Sequence, residues 1–154
     1  MKKQVKEKPR PVSELDILNW MQIQPEDFNL KNSQFVIQST LHGTGHVYRT
    51  MINVLWIAWL RQDALNGRLA FFGAYIHDLA RTHDCLCTRH GADSVQHCFP
   101  LYESLFRKYG ATDAQLDYIR AAVEQHAYPE TLDSSQPGWL VLAMLKDADA
   151  ELAV

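Results

Sequence analysis

Leu69-Ala70-Phe71-Phe72-Gly73-Ala74-Tyr75-Ile76-His77-Asp78 is the stretch on which the reading of this chain turns. A run of eight residues without a charge ends on an imidazole beside a carboxylate. A segment this apolar is expected to be buried. A His-Asp pair leaving it is costly to desolvate unless something positive or hydrogen-bonding stands between the two groups. A divalent cation would meet that need.

On either side the sequence punctuates helices. Ser13 with Asp16, ahead of Ile17, Leu18, Trp20 and Met21, is a capping box that predicts an amphipathic helix stopping by Pro25. A turn-rich stretch follows to about Leu41. From Thr44 to Leu65 there is no breaker, and Asn66-Gly67 reads as the C-terminal stop. Between Val47 and Leu60 only Arg49, Thr50 and Asn53 are polar, so this helix is expected to be central. His46, Arg49 and Asn53 fall at i, i+3 and i+7, a narrow polar stripe that should line a site.

A third helix is predicted from Arg68 to about Ala80, then a polar loop, Arg81–Arg89, dense in His, Asp and Cys. His90 opens the next helix, which breaks near Phe99, restarts with Pro100 in its first turn and stops at Gly110. Thr112 and Gln115 form a second capping box, with Leu116, Ile119, Val123 and His126 on one stripe. Pro129 and the turn 134–138 precede a last helix from Trp139, where Leu142, Leu145, Asp149 and Leu152 share a face. No convincing strand alternation occurs. The expected fold is all-α, a single-domain bundle of about six helices over residues 12–154, behind a disordered basic tail at residues 1–11.

With 154 residues, 47% of them hydrophobic, the chain has material for one core. A formal charge of −3 leaves no basic surplus, so nucleic acid is not expected as an electrostatically steered partner. Lys2, Lys3, Lys6, Lys8 and Arg10 load the start, but no apolar run follows them as a secretory signal requires. The apolar stretches Val54–Leu60 and Leu69–Ile76 are both far short of the roughly 20 residues that span a bilayer, so no membrane contact is expected. Cys85, Cys87 and Cys98 make no even disulfide framework, which favours a reducing, cytoplasmic setting.

The ionisable residues that the predicted helices turn inward are His46, His77, Asp78, His126 and Asp149, with His90 at a helix start. Imidazole and carboxylate without thiolate suit Mn, Fe, Zn, Ni or, with fewer nitrogens, Mg, as one ion or two. A single histidine on an apolar face is more often an ordinary core residue. Several of them from different helices read better as a ligand set. Asp147 competes with Asp149, since it too follows apolar residues one turn earlier.

The order His46-Val47-Tyr48-Arg49, Ala74-Tyr75-Ile76-His77-Asp78-Leu79-Ala80-Arg81, His90-Gly91-Ala92-Asp93-Ser94, Ala122-Val123-Glu124-Gln125-His126 and Leu145-Lys146-Asp147-Ala148-Asp149 resembles the HD-domain metal-dependent phosphohydrolase superfamily. The resemblance covers nearly the whole chain. It implies that His46, His77, Asp78 and Asp149 hold a first metal, that Asp78 bridges, and that His90 and His126 make a second site. It also implies hydrolysis of a small-molecule phosphoester, a nucleotide or a relative of one. Members often continue the last motif with Leu-Asp, whereas this chain reads Ala150-Glu151-Leu152. That departure keeps Asp147 in play, although Asp149 follows alanine as the motif does. Members usually carry further helices that close the site, so a truncated C-terminus is one reading.

Hydrolysis of a phosphoester needs cations for the leaving oxygen and the spread charge, and Arg49, Arg81 and Lys146 are placed to supply them. Together with Asp78, Arg49 and Arg81 are the expected catalytic residues; Lys146 and His42 are expected on the substrate side. Arg89 and Lys146 serve equally well as surface ion-pair partners, and His42 equally well as a plain loop residue. His83-Asp84 duplicates the defining pair, but in a loop. The spacing His83-x-Cys85-x-Cys87-x-x-His90 is too tight for a tetrahedral zinc clip. Trp20, Trp56, Trp59 and Trp139 are expected in the core, His97 as solvated or partly buried, and Glu124 and Glu130 at the surface. Two other functions fit the same ligands: a non-catalytic metal- or nucleotide-binding module, and a di-iron oxygenase of the same superfamily. Oligomeric state is not legible.

Overall fold

In the computed structural model, which describes residues 12–129 and 132–150, every regular element is helical. Among these residues there are seven α-helices and no strand. They are α1 (Glu14–Trp20), α2 (Thr44–Arg61), α3 (Ala64–Ile76), α4 (His90–His97), α5 (Phe99–Lys108), α6 (Asp113–Gln125) and α7 (Trp139–Ala150). The break expected near Phe99 falls at Cys98, and α5 restarts with Pro100 in its first turn, as expected; counted separately, α4 and α5 bring the expected six or so to seven. The basic tail, Glu130 and Leu152 lie outside the described residues. No described helix is long and apolar enough to cross a membrane.

Both capping boxes form. Ser13 Oγ accepts from the Asp16 amide at 3.2 Å and Asp16 Oδ2 accepts from the Ser13 amide at 2.9 Å. Thr112 and Gln115 exchange the same pair of bonds at the head of α6. The turn-rich stretch contains two short 3-10 turns, Pro25–Phe28 and Asn32–Gln34.

Two expectations about α2 and α3 are corrected. The α2 helix ends at Arg61, because Gln62 adopts the left-handed conformation (φ 52°) and its amide turns back to Ala58 and Trp59. Asp63 then caps α3, accepting the Asn66 amide at 3.1 Å. Asn66-Gly67, expected to stop α2, therefore lies in the opening turns of α3, which begins four residues before the expected Arg68 and ends at Ile76. A Cβ on Gly67 would lie 2.3 Å from that of Ala58, so this glycine serves the close crossing of the two helices.

The second correction is which helix is central. Every residue from Leu69 to Ala80 is buried, and α3 packs against α2, α6 and α7. By contrast α2 exposes Tyr48, Ile52 and Leu60. The tryptophans are half-buried rather than core; Trp20 and Trp59 meet edge to face at the rim of the core, with centroids 5.1 Å apart. The aromatic centre is instead Phe28, Phe72 and Phe106, stacked with centroid spacings of 5.5 and 4.9 Å. Against this rigid centre α3 delivers His77 and Asp78 to one end of the bundle.

Candidate metal centre

Five helix ends meet at that point. His46 lies in the first turn of α2 and His90 is the first residue of α4. His77 and His126 are the C-caps of α3 and α6, and Asp149 closes the last turn of α7. The two C-cap histidines are presented alike. Each turns Nδ1 onto the carbonyl three residues back, Ala74 (2.6 Å) for His77 and Val123 for His126, which leaves Nε2 aimed inward. Metal-ligating histidines are characteristically oriented by such a bond from the other ring nitrogen.

The inward atoms form two groups. In the first, His46 Nε2 lies 2.9 Å from Asp149 Oδ1 and 3.3 Å from Asp78 Oδ2. His77 Nε2 lies 3.2 Å from Asp149 Oδ1 and 3.5 Å from Asp78 Oδ2. In the second, His90 Nε2 is 2.9 Å from His126 Nε2 and 3.2 Å from Asp78 Oδ1, and His126 Nε2 is 3.9 Å from the same oxygen. Ligands about 2.1 Å from one ion stand roughly 3.0–3.5 Å apart in octahedral or tetrahedral arrangements, so the first group in particular is already spaced as a coordination shell. Each group can hold a metal ion, and Asp78 gives one oxygen to each.

Neighbouring side chains fix these positions. Ser94 Oγ donates to the His77 carbonyl at 3.3 Å and accepts from the Ala80 amide at 3.4 Å, holding the turn that carries Asp78. Asn53 donates to the Ala148 carbonyl at 3.0 Å and ties α2 to the residue before Asp149. The polar stripe read on α2 thus does line the site. Gly91 lets α4 approach the end of α6, since a Cβ there would fall 2.3 Å from the Val123 carbonyl oxygen. Gly91→Ala is expected to cost about 1–3 kcal/mol of stability through overpacking. It should also part His90 from His126, so that metal titrations lose the second group and keep the first.

Arg81 is buried, with Nε on the His83 carbonyl and Nη2 on the Cys85 carbonyl, each at 2.9 Å. Its Nη1 lies 3.2 and 3.3 Å from the two ring nitrogens of His90 and 3.9 Å from Asp78 Oδ1. A fixed cation here opposes a second metal ion beside it, so the first group is the stronger of the two. Arg49 is exposed rather than enclosed, folds back over Gly45 and lines the cleft in front of the first group. His42 also lines the cleft.

Lys146 is a correction: its ammonium donates to the Tyr128 carbonyl, away from the cleft, because α7 turns it toward the segment after α6. Asp147 is exposed on a different face, beside Arg61 and Trp139, which leaves Asp149 as the α7 carboxylate of the site. His83 and His97 are exposed, and Glu124 is at the surface as expected. The three cysteines are free; Cys98 is buried, Cys85 is exposed, and Cys87 joins the cleft wall. No local pattern marks Ser94 as a support, or Leu41, Leu86 and Cys87 as cleft residues; Asn53 is marked by the polar stripe, but its bond to α7 is not.

The charges of the metal-free site are distributed unequally. Burial works against a charged His77, but Asp78 and Asp149 outweigh it and raise its pKa to about 9. Burial likewise disfavours a charged His126, and here His77 adds repulsion, so its pKa falls to about 4. Burial also opposes ionisation of Asp78 and Asp149, yet the neighbouring histidines hold both well below the usual carboxylate range.

The signs give a pH profile. Stability from charged His77 is complete below its ordinary pKa of 6.5 and is lost as pH rises through about 9. Stability from neutral His126 is complete above 6.5 and is lost as pH falls toward about 4. The carboxylates add a further loss on the acid side. Melting temperatures of the chelated protein should therefore peak near pH 6.5. A divalent ion requires His77 neutral and both carboxylates ionised, so saturating metal should remove the alkaline decline. A chelated protein whose melting temperature holds level from pH 7 to 9 would contradict this.

No family model matches the chain, and neither a curated protein nor a solved structure does.

Proposed function

We propose that this chain is a metal-dependent phosphohydrolase of the HD-domain type, acting on a small phosphoester of the nucleotide class. The observation that carries the reading is the division of Asp78, Oδ2 toward His46, His77 and Asp149 and Oδ1 toward His90 and His126. One carboxylate shared between two imidazole-rich groups is a costly thing to bury without a metal function.

A bound divalent ion would supply a water of lowered pKa and a Lewis acid for a phosphoryl oxygen. The rest falls to the chain's own residues. His46, His77, Asp78 and Asp149 would hold the first ion, and Asp78 with His90 and His126 a second. Arg49, at the cleft wall beside the first group, has the reach and charge to hold a phosphoryl oxygen and steady the negative charge that spreads in the transition state. Arg81, expected as a catalytic residue, is committed to the His83 and Cys85 carbonyls and acts one step back, positioning Asp78 and His90. The buried second group excludes bulk water from one side of the site, while His46 and Asp149 are partly open to the cleft.

The test is phosphate release from a panel of phosphoesters with Mn, Mg, Zn, Ni and Fe in turn. Metal-dependent release that disappears on chelation and returns with metal is expected. Silence across the panel, with a nucleotide still raising the melting temperature, would replace this reading by a non-catalytic binding module. The four-histidine, two-carboxylate set also suits a di-iron centre, and an aerobic, iron-dependent reaction without phosphate release would point there.

A further inference from the structure

Two loops border the cleft, and both are pinned. On the first, Ser39 Oγ accepts the amides of Leu41 (3.0 Å) and His42 (3.1 Å). On the second, Arg81 holds the carbonyls of His83 and Cys85. The loops are then tied to one another through Asp84, whose Oδ1 accepts from Ser39 Oγ at 2.5 Å and lies 2.9 Å from His42 Nδ1. This is what the second His-Asp pair does: His83-Asp84 takes no part in either metal group but clamps the two loops together.

The clamp presents two leucines. Leu86 is 97% exposed and Leu41 61% exposed, and both line the cleft. Leu86 stands in a loop otherwise made of polar residues and cysteines, directly after Cys85, whose carbonyl Arg81 holds. The three residues before it are held, His83 and Cys85 by Arg81 and Asp84 by Ser39 and His42. The cleft thus has an ionic floor, with the first metal group and Arg49, and an apolar mouth. At about 640 Å³ it is of the size that takes a small molecule.

We infer that Leu41 and Leu86 are specificity residues that pack against the flat, apolar-faced ring of a phosphomonoester at the cleft mouth, while its phosphate faces Arg49 and the metal group. The inference rests on the phosphohydrolase reading and adds the organic half of the substrate to it. A nucleobase or an aryl group would satisfy the same two side chains. Asp84 acts through them as a positioning residue, since it sets the separation of the loops.

The experiment measures calorimetric binding of three non-hydrolysable probes to the full chain saturated with Mn2+: a nucleoside 5′-phosphonate, phenylphosphonate and methylphosphonate. A ring-bearing probe should bind about tenfold or more tightly than methylphosphonate, as expected for one well-covered apolar face. Leu41→Ser and Leu86→Ser should each erase most of that preference, and Asp84→Asn should reduce it, with methylphosphonate binding unchanged in all three. The preference for nucleoside or phenyl identifies which source supplies the ring. Equal binding of all three probes, or a ring preference that survives both leucine changes, overturns the inference and leaves the phosphohydrolase reading standing. If the leucine changes shift the sedimentation coefficient and not probe binding, the mouth is an interface between copies and the inference fails. If even methylphosphonate does not bind, the phosphohydrolase reading fails and takes the inference with it.

Discussion

Asp78→Asn should abolish metal binding at both groups and turnover with it. The side chain gives an oxygen to each group and is 2% exposed, so no neighbouring carboxylate or water can take its place. Asparagine keeps the shape and one carbonyl oxygen but removes the charge that makes the site selective for a cation. With an ion at roughly 100 times its dissociation constant, the native chain should gain about 2.7 kcal/mol of stability. For a domain of this size that is on the order of 5–10 °C in melting temperature. The Asp78→Asn chain should show none of this gain. Loss of the Lewis acid should reduce turnover by on the order of 10^3-fold or more. Without metal the variant should already be less stable than the native chain, because charged His77 loses a carboxylate that holds its pKa up. Melting curves with chelator and with Mn2+ test both statements at once.

The second large effect separates two carboxylates two residues apart. Asp149→Asn should lower affinity at the first group about 100-fold or more and leave Asp78, His90 and His126 able to bind weakly, a change visible as lost stoichiometry in a calorimetric titration. Asp147→Asn should change neither affinity nor turnover, since Asp147 is exposed on another face of α7. Equal loss from both variants would mean that α7 is placed in the wrong register against His46 and His77.

Much of this site is legible in the sequence, for reasons that can be named. Burial of Leu69–Ile76 requires only that the run be apolar, and a His-Asp pair at its end then needs a partner. Capping boxes are local, so the starts of α1 and α6 follow from Ser13 with Asp16 and from Thr112 with Gln115. The choice between Asp147 and Asp149 is different. Both satisfy the local pattern, and only the packing of α7 against α2, through Asn53 and Ala148, decides between them.

What the sequence misplaces depends on contacts without a local signature. Gln62 ends α2 in a left-handed conformation without glycine, while Asn66-Gly67, which looks like a stop, is used for a close helix crossing. The helix carrying Arg49 reads as central because its residues are mostly apolar, yet the Arg49 face of α2 is exposed and opens onto the cleft. Lys146 is diverted by a backbone carbonyl that no motif announces. The pairing of Asp84 with Ser39 and His42 joins segments more than 40 residues apart, so neither loop alone points to it.

His46, His77, Asp78 and Asp149 form a group that can hold a divalent cation, and the proposed function requires that it does. That requirement is tested most directly by anomalous scattering from a crystal grown with Mn2+, paired with elemental analysis of the purified protein. A peak about 2.2 Å from the inward atoms of those four residues is predicted, with a weaker or absent second peak beside Asp78 Oδ1, where the Arg81 guanidinium stands. No peak among the four ligands in a Mn2+-saturated crystal, and no bound metal by elemental analysis, would contradict the account.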